Sequence, residues 1–309
     1  MRAFVRRLHP WQALLYLLFA FALWNLAAAP KAFAETARIH GQGRLFEVSR
    51  EGVPANYVFG TMHINDRRVL KLPGPIATAL RKSRTVFLES GTETIDPRAA
   101  LSSMMFSDGR TLRDVLKGKL YTEVMQAALS TGLPRGVIDR LKPGALLMFV
   151  GGAKSYHPWS ISRRPVLDAL LLEFAINREI PVLQLDRARE IFALFTKRLS
   201  EADQVALLRD AFDDNRQERP LDAMLEAYLE GDLDTLHSFG LIGNEKLKDV
   251  EERFDHELLS VRNHRWIPRL KPQLERGGAF VAVGAAHLSG EHGILRLLEN
   301  EGFTVRRVH

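Results

Sequence analysis

Asn56-Tyr57-Val58-Phe59-Gly60-Thr61-Met62-His63 and Phe280-Val281-Ala282-Val283-Gly284-Ala285-Ala286-His287 follow one plan. Each is an apolar run of β type that stops at Gly-x-x-His. Glycine lets a backbone turn sharply where a strand ends, so each histidine is expected to project from a strand's carboxyl end. In sheets with helical connections that edge is where ligands bind. Two imidazoles delivered there from positions 224 residues apart could share one cation. The competing reading is two packed or solvated histidines near turns. One Gly-x-x-His says little; two, each behind an apolar strand, point to a shared site at one sheet edge.

Outward from these segments the chain alternates. Strands are expected over 44–49 and 55–59, with a turn at 50–54 between them, and over 85–88, 182–185, 279–283 and 303–308. The runs at 85–88 and 182–185 read as buried strands. Short helices are expected over 75–82, 165–178 and 294–300, and helical periodicity dominates 97–150 and 187–276. In the latter, Val250, Phe254, Leu258 and Val261 recur at helical spacing. This predicts a helix-rich α/β (α+β) fold over residues 35–309: one domain, a small mixed sheet covered by helices in three layers, with inserted helices as a lid or subdomain.

Glu89 closes the run Thr85-Val86-Phe87-Leu88 and so should emerge near the same edge. A carboxylate there could ligate a metal or accept a proton from activated water; it could equally mark where a strand meets solvent. Arg262 lies four residues past Leu258 and eight past Phe254, so it continues an apolar stripe. A guanidinium turned towards a core keeps its charge and needs an anion, such as Glu89 or a substrate oxyanion. Alternatively the stripe has ended and Arg262 reaches water. Asn263 and His264 beside it are secondary polar candidates.

The N-terminus reads as an export segment. Arg2, Arg6 and Arg7 precede the uncharged, largely apolar stretch 11–29, and Ala32-Phe33-Ala34 offers small residues for cleavage after Ala34. An uncleaved anchor facing the periplasm is the alternative. Either way residues 35–309 are expected in the periplasm or outside the cell. Residues 1–34 hold four of the 43 basic side chains and none of the 37 acidic ones, so the remainder carries +2 rather than +6. That removes the main support for nucleic-acid binding. There is no cysteine, so disulfides, thiolate ligands and a thiol nucleophile are excluded. Any metal must sit on histidine, carboxylate, carbonyl or water.

Several familiar signatures fail. His256-Glu257-Leu258-Leu259 starts like the zinc-protease helix, but Ser260 stands where the second histidine belongs. No Walker loop, Gly-x-Ser-x-Gly elbow or dinucleotide glycine pattern occurs. The basic run from Arg262 to Arg276 is preceded by Glu251, Glu252, Asp255 and Glu257, and reads as a solvated helix face.

Phe59-Gly60-Thr61-Met62-His63, Leu88-Glu89-Ser90, Arg262-Asn263 and Val281 to Leu288 together resemble the TraB/GumN family, which includes Tiki-type metalloproteases. Gly290-Glu291-His292-Gly293-Ile294-Leu295 and Leu298 to Val305 match the family's ending. The resemblance runs from about Asn56 to Val308, dense at the ends and thin in the middle helices. It implies a divalent metal (manganese or cobalt, with zinc a further option) and a peptidase-type site at His63, Glu89, Arg262 and His287. Family members tend to open the helix before the middle strand with Gly-x-Asp; here Asp168 supplies the acid and Val166 replaces the glycine. At the end of that strand, where glutamate is common, the chain has Asp186. In fold the family resembles erythromycin-esterase and ChaN-like proteins, with two related halves sharing a site.

The functional expectation is an exported, metal-dependent hydrolase of peptide or protein substrates. His63 and His287 would bind the metal, Glu89 would act as third ligand or base, and Arg262 would stabilise an oxyanion. Its rivals are a metal, haem or small-ligand binding protein, a regulatory or envelope-biosynthesis protein that only meets partner proteins, and a folded exported domain with an unused cleft.

Overall fold

A computed structural model describes residues 38–309 apart from 65, 92, 94–95, 151–166, 214–220 and 240–246. The stretch expected to direct export, residues 1–34, and Val166 lie outside the described residues. Six strands form one mixed sheet: β1 Leu45–Ser49, β2 Asn56–Thr61, β3 Thr85–Leu88, β4 Val182–Gln184, β5 Ala279–Gly284 and β6 Thr304–Arg307. Their order is β4-β3-β5-β2-β1-β6. The first Gly-x-x-His strand and the last therefore lie side by side. β2 runs parallel to β5, with Gly60 opposite Val283 and Thr61 opposite Gly284. On its other side β5 pairs in parallel with β3, placing Leu88 opposite Ala282. β1 is antiparallel to both β2 and β6.

β3 and β5 are buried along their whole length, as expected of parallel strands covered on both faces. The helices that cover the sheet include α1 Gly74–Lys82, α2 Leu167–Asn177, α4 Val261–Leu274 and α5 Ile294–Asn300. Ile76, Leu80, Leu171, Trp266, Leu270 and Leu298 join Phe59, Val86 and Phe280 in one core. The fold is thus the helix-rich α/β architecture expected from the periodicities. One strand differs from expectation. β4 is an edge strand paired only with β3, so Leu183 is 45% exposed, and the apolar anchor is Leu185 just beyond it.

The helical stretches build a second core of their own, including Val124, Leu146, Phe192, Phe195, Leu208, Phe254 and Leu258. One continuous helical run joins the two cores. Its first part, α3 Lys248–Asp255, delivers Phe254 to the helical core, and α4 delivers Trp266 and Leu270 to the sheet core. Between them His256–Ser260 is a π-helical turn. A wider turn of that kind shifts the facing of the residues after it, and Arg262 is the second residue of α4. Among the described residues, no helix is long and apolar enough to cross a membrane.

Candidate active site

Glu89 is the first residue past β3 and is 1% exposed. The Gly284 N–H at the end of β5 donates to its Oε1 at 2.6 Å, and Arg262 Nη2 donates to its Oε2 at 2.5 Å. Burial pushes the Glu89 carboxyl above its ordinary range, opposed by the charges of Arg262 and His63. Glu89 is therefore no solvent-facing strand end.

Arg262 is 1% exposed and does not reach water. Its Nε donates to Asp186 Oδ2 at 2.9 Å, and its Nη1 to the Leu258 carbonyl at 3.1 Å. The guanidinium also lies 4.6 Å from the Trp266 ring centre. An arginine keeps its charge here, and two buried carboxylates supply the compensation that such burial demands. Asp186 also accepts from Arg265 Nη2 at 2.6 Å, while Arg269 pairs with Glu190 at 2.6 Å. The basic run after Arg262 is therefore partly an inward-facing ion-pair ladder, not a wholly solvated face.

His287 ends a short 3₁₀ turn, Ala285–His287, directly after β5 and is fully buried. Asn263 fixes its tautomer. The Asn263 amide N–H₂ donates to the carbonyls of His287 (3.2 Å) and His292 (2.8 Å), so its Oδ1 must accept from His287 Nδ1 at 2.7 Å. The lone pair then sits on Nε2, which faces Arg262 Nη1 at 3.0 Å and lies 3.9 Å from Glu89 Oε1. Burial first, then the positive charges of Arg262 and His63, hold His287 well below its usual range and keep it neutral.

His63, two residues past β2, places Nδ1 3.0 Å from Asp168 Oδ2 at the start of α2. Burial works against its protonation, but the Asp168 carboxylate outweighs that and raises its pKa. Its charge is felt by both Glu89 and His287, so the four expected residues share one electrostatic neighbourhood at the ends of β2, β3 and β5. Among the described residues, however, no three of histidine, aspartate and glutamate stand grouped as ligands of one ion.

The two glycines serve differently from expectation. Neither adopts a positive φ. Gly60 lies within β2, and a Cβ there would come 2.7 Å from Leu288 Cδ1 and 3.1 Å from Ala285 Cα. Its role is to let the turn after β5 press against β2.

Two acids outside the expected quartet belong to this cluster. Asp168 is the residue that orients His63, and Asp186 shares Arg262 with Glu89. Position relative to the strand ends was the available signal, since each acid opens or follows an element beside the middle strand. Asn263, a secondary candidate, holds His287, whereas His264 stands outside the cluster against His292, at 3.2 Å.

The chain is 24% identical over 311 residues to "Metalloprotease TIKI1" of Homo sapiens, and 25% identical over 309 residues to "Metalloprotease TIKI homolog" of Amphimedon queenslandica. Each match covers 84% of this chain but only 61% and 60% of the respective relative. No solved structure gives a significant match. The model of the TraB/PrgY/gumN family matches residues 45–307, from the first strand of the sheet to the last, and the chain belongs to that family.

Proposed function

We propose that the protein is an exported metal-dependent hydrolase acting on peptide bonds, with His63 and His287 as the residues that would hold a divalent cation and Glu89 as its third ligand or as the general base. The observation that carries this reading is that each imidazole turns Nδ1 towards a buried polar partner: His63 Nδ1 lies at ion-pair distance, 3.0 Å, from Asp168 Oδ2, and His287 Nδ1 donates to Asn263 Oδ1 at 2.7 Å. Such partners fix ring orientation in metal sites and leave Nε2 as the nitrogen that would meet an ion. The donor set is all nitrogen and oxygen, which suits manganese, cobalt or zinc. The relatives' names support the metal and the protease character.

A bound divalent cation supplies Lewis acidity towards water and a substrate carbonyl. This chain's residues do the rest. Glu89, its carboxyl raised by burial, accepts the proton released from water. Arg262, held by Asp186, is a fixed cation beside the place where negative charge develops on the carbonyl oxygen. Its Nη1 and a cation would use the same His287 lone pair, so the two uses exclude one another. Peptide or protein is the proposed substrate class, nucleic acid is not, and the membrane would be met only through the N-terminal segment if that segment stays uncleaved.

Cleavage of a peptide library by metal-loaded protein tests this directly. Glu89→Gln should abolish cleavage while the metal stays bound; loss of the metal as well would make Glu89 a ligand. No cleavage by the loaded wild type would favour a second reading, a protein that binds metal without turnover. The complete enclosure of Glu89, Arg262 and His287 supports that rival. Export is checked by N-terminal sequencing of the extracytoplasmic protein, which should begin at Glu35.

A further inference from the structure

His264 and His292 stand outside the cluster around Arg262 and face one another. His264 Nε2 lies 3.2 Å from His292 Nδ1, with the rings tilted by 54° and their centres 5.4 Å apart. Both residues, and the contact between them, are exposed to solvent. In a neutral pair at this distance one ring donates its N–H to the other's lone pair. The same separation suits a metal ion. Two metal–nitrogen bonds of ~2.0–2.1 Å, set between a right angle and the tetrahedral angle, place their nitrogens about 2.9–3.4 Å apart. A change of tautomer in the donating ring, with no net loss of a proton, presents both lone pairs to such an ion.

Neither ring hangs on a loose segment. His264 is the fourth residue of α4, whose Trp266 and Leu270 are anchored in the sheet core. His292 lies in the loop between β5 and α5, where Asn263 Nδ2 donates to its carbonyl at 2.8 Å. The Gly293 N–H closes that loop on the Gly290 carbonyl at 2.9 Å, and a Cβ on Gly293 would run into the Leu288 carbonyl oxygen. Asn263 thus joins the two elements that carry the rings, and their backbones are fixed before any ligand arrives. Among the described residues, no third histidine, aspartate or glutamate is grouped with the pair as a ligand. The donor set is therefore two imidazole nitrogens without a carboxylate, which suits copper(II) or nickel(II), and affinity along the divalent series peaks at copper.

We infer that His264 and His292 form a second metal site, which takes one copper(II) ion on His264 Nε2 and His292 Nδ1, with water in the remaining positions. The ion would clamp the first turn of α4 to the loop after β5. Cobalt stands below copper in affinity for such donors, so two imidazoles alone separate this site from an inner one that also offers Glu89. The inference does not depend on the hydrolase reading, because it uses neither His63, His287 nor Glu89.

Copper(II) binding by the metal-free full chain, measured by equilibrium dialysis in a non-coordinating buffer, tests it in wild type, His264→Gln and His292→Gln. Mildly alkaline pH is used because metals bind the neutral imidazole. The wild type should hold one copper equivalent more than either variant. Loss of either ring should weaken that equivalent by about 100-fold, the gain from a second ligand held on the same frame. The electron paramagnetic resonance spectrum of the extra copper should show two coordinated nitrogens. Copper on His63 and His287 is common to all three proteins and cancels, so the difference is one equivalent whether the hydrolase reading stands or fails. Both residues are exposed, so glutamine at either position should leave the copper-free melting temperature unchanged. Equal copper binding by all three proteins overturns the inference. A loss confined to one variant overturns it too, since the site needs both rings.

Discussion

Asn263 and Asp168 perform the same task on two imidazoles, one with a neutral amide and one with a carboxylate. The difference sets the two rings apart: His287 is held neutral, whereas His63 is biased towards its charged form. Asn263→Ala should therefore weaken cobalt binding by about 10–100-fold, read by competitive titration, while Asn263→Asp, which keeps an acceptor for Nδ1–H, retains most of it. Arg262 is the other decisive residue. Arg262→Met leaves Glu89 and Asp186 buried without their shared counter-charge and should cost about 3–5 kcal/mol in urea unfolding. Its inward placement could be read from the stripe Phe254, Leu258, Arg262, but its partner Asp186 could not. That contact spans 76 positions and depends on where β4 ends against β3.

At the level of elements, the apolar runs ending in Gly-x-x-His made β2 and β5 legible, because buried parallel strands carry their signal in composition. What composition does not carry is neighbour order. β4 has the same apolar look as β3 but lies at the sheet's edge, and only the closure of β3 onto β5 decides that. The role of Gly60 was likewise hidden, since close approach of Ala285 and Leu288 is a property of the packed pair. Gly60→Ala should destabilise by about 1–3 kcal/mol in chemical denaturation, as overpacking does. Adding Leu288→Ala removes the nearest clash and should recover part of that loss; an additive double mutant would contradict the proposed contact.

For the whole molecule, two cores meet along one helical run, and the candidate site and a cavity lined by Asp255, Asn263 and His292 lie near its π turn. That turn could not be foreseen, because Lys248–Asp255 and Val261–Leu274 read as one uninterrupted helical period. Asp255 sits at its start and makes stability depend on pH. The groups that face or adjoin it are Glu251, Glu252, His256, Arg38, His237, Glu291 and His292. Its pKa is raised from 3.8 to about 8, so the stabilisation it brings is fully present below the ordinary value and lost as pH rises through about 8. The melting temperature of the wild type should therefore fall, relative to Asp255→Asn, as pH rises across that window. Comparison with the variant cancels the other titrating groups.

The adjacency of β2 and β5 is the premise on which the proposed metal chemistry stands. Cobalt binding by equilibrium dialysis, with its visible absorption spectrum, tests it in wild type, His63→Ala and His287→Ala. We predict one cobalt per chain in the wild type, with tetrahedral or five-coordinate absorption that either substitution removes together with most of the affinity. Wild-type affinity and an unchanged spectrum in either variant would contradict a site shared by the two histidines.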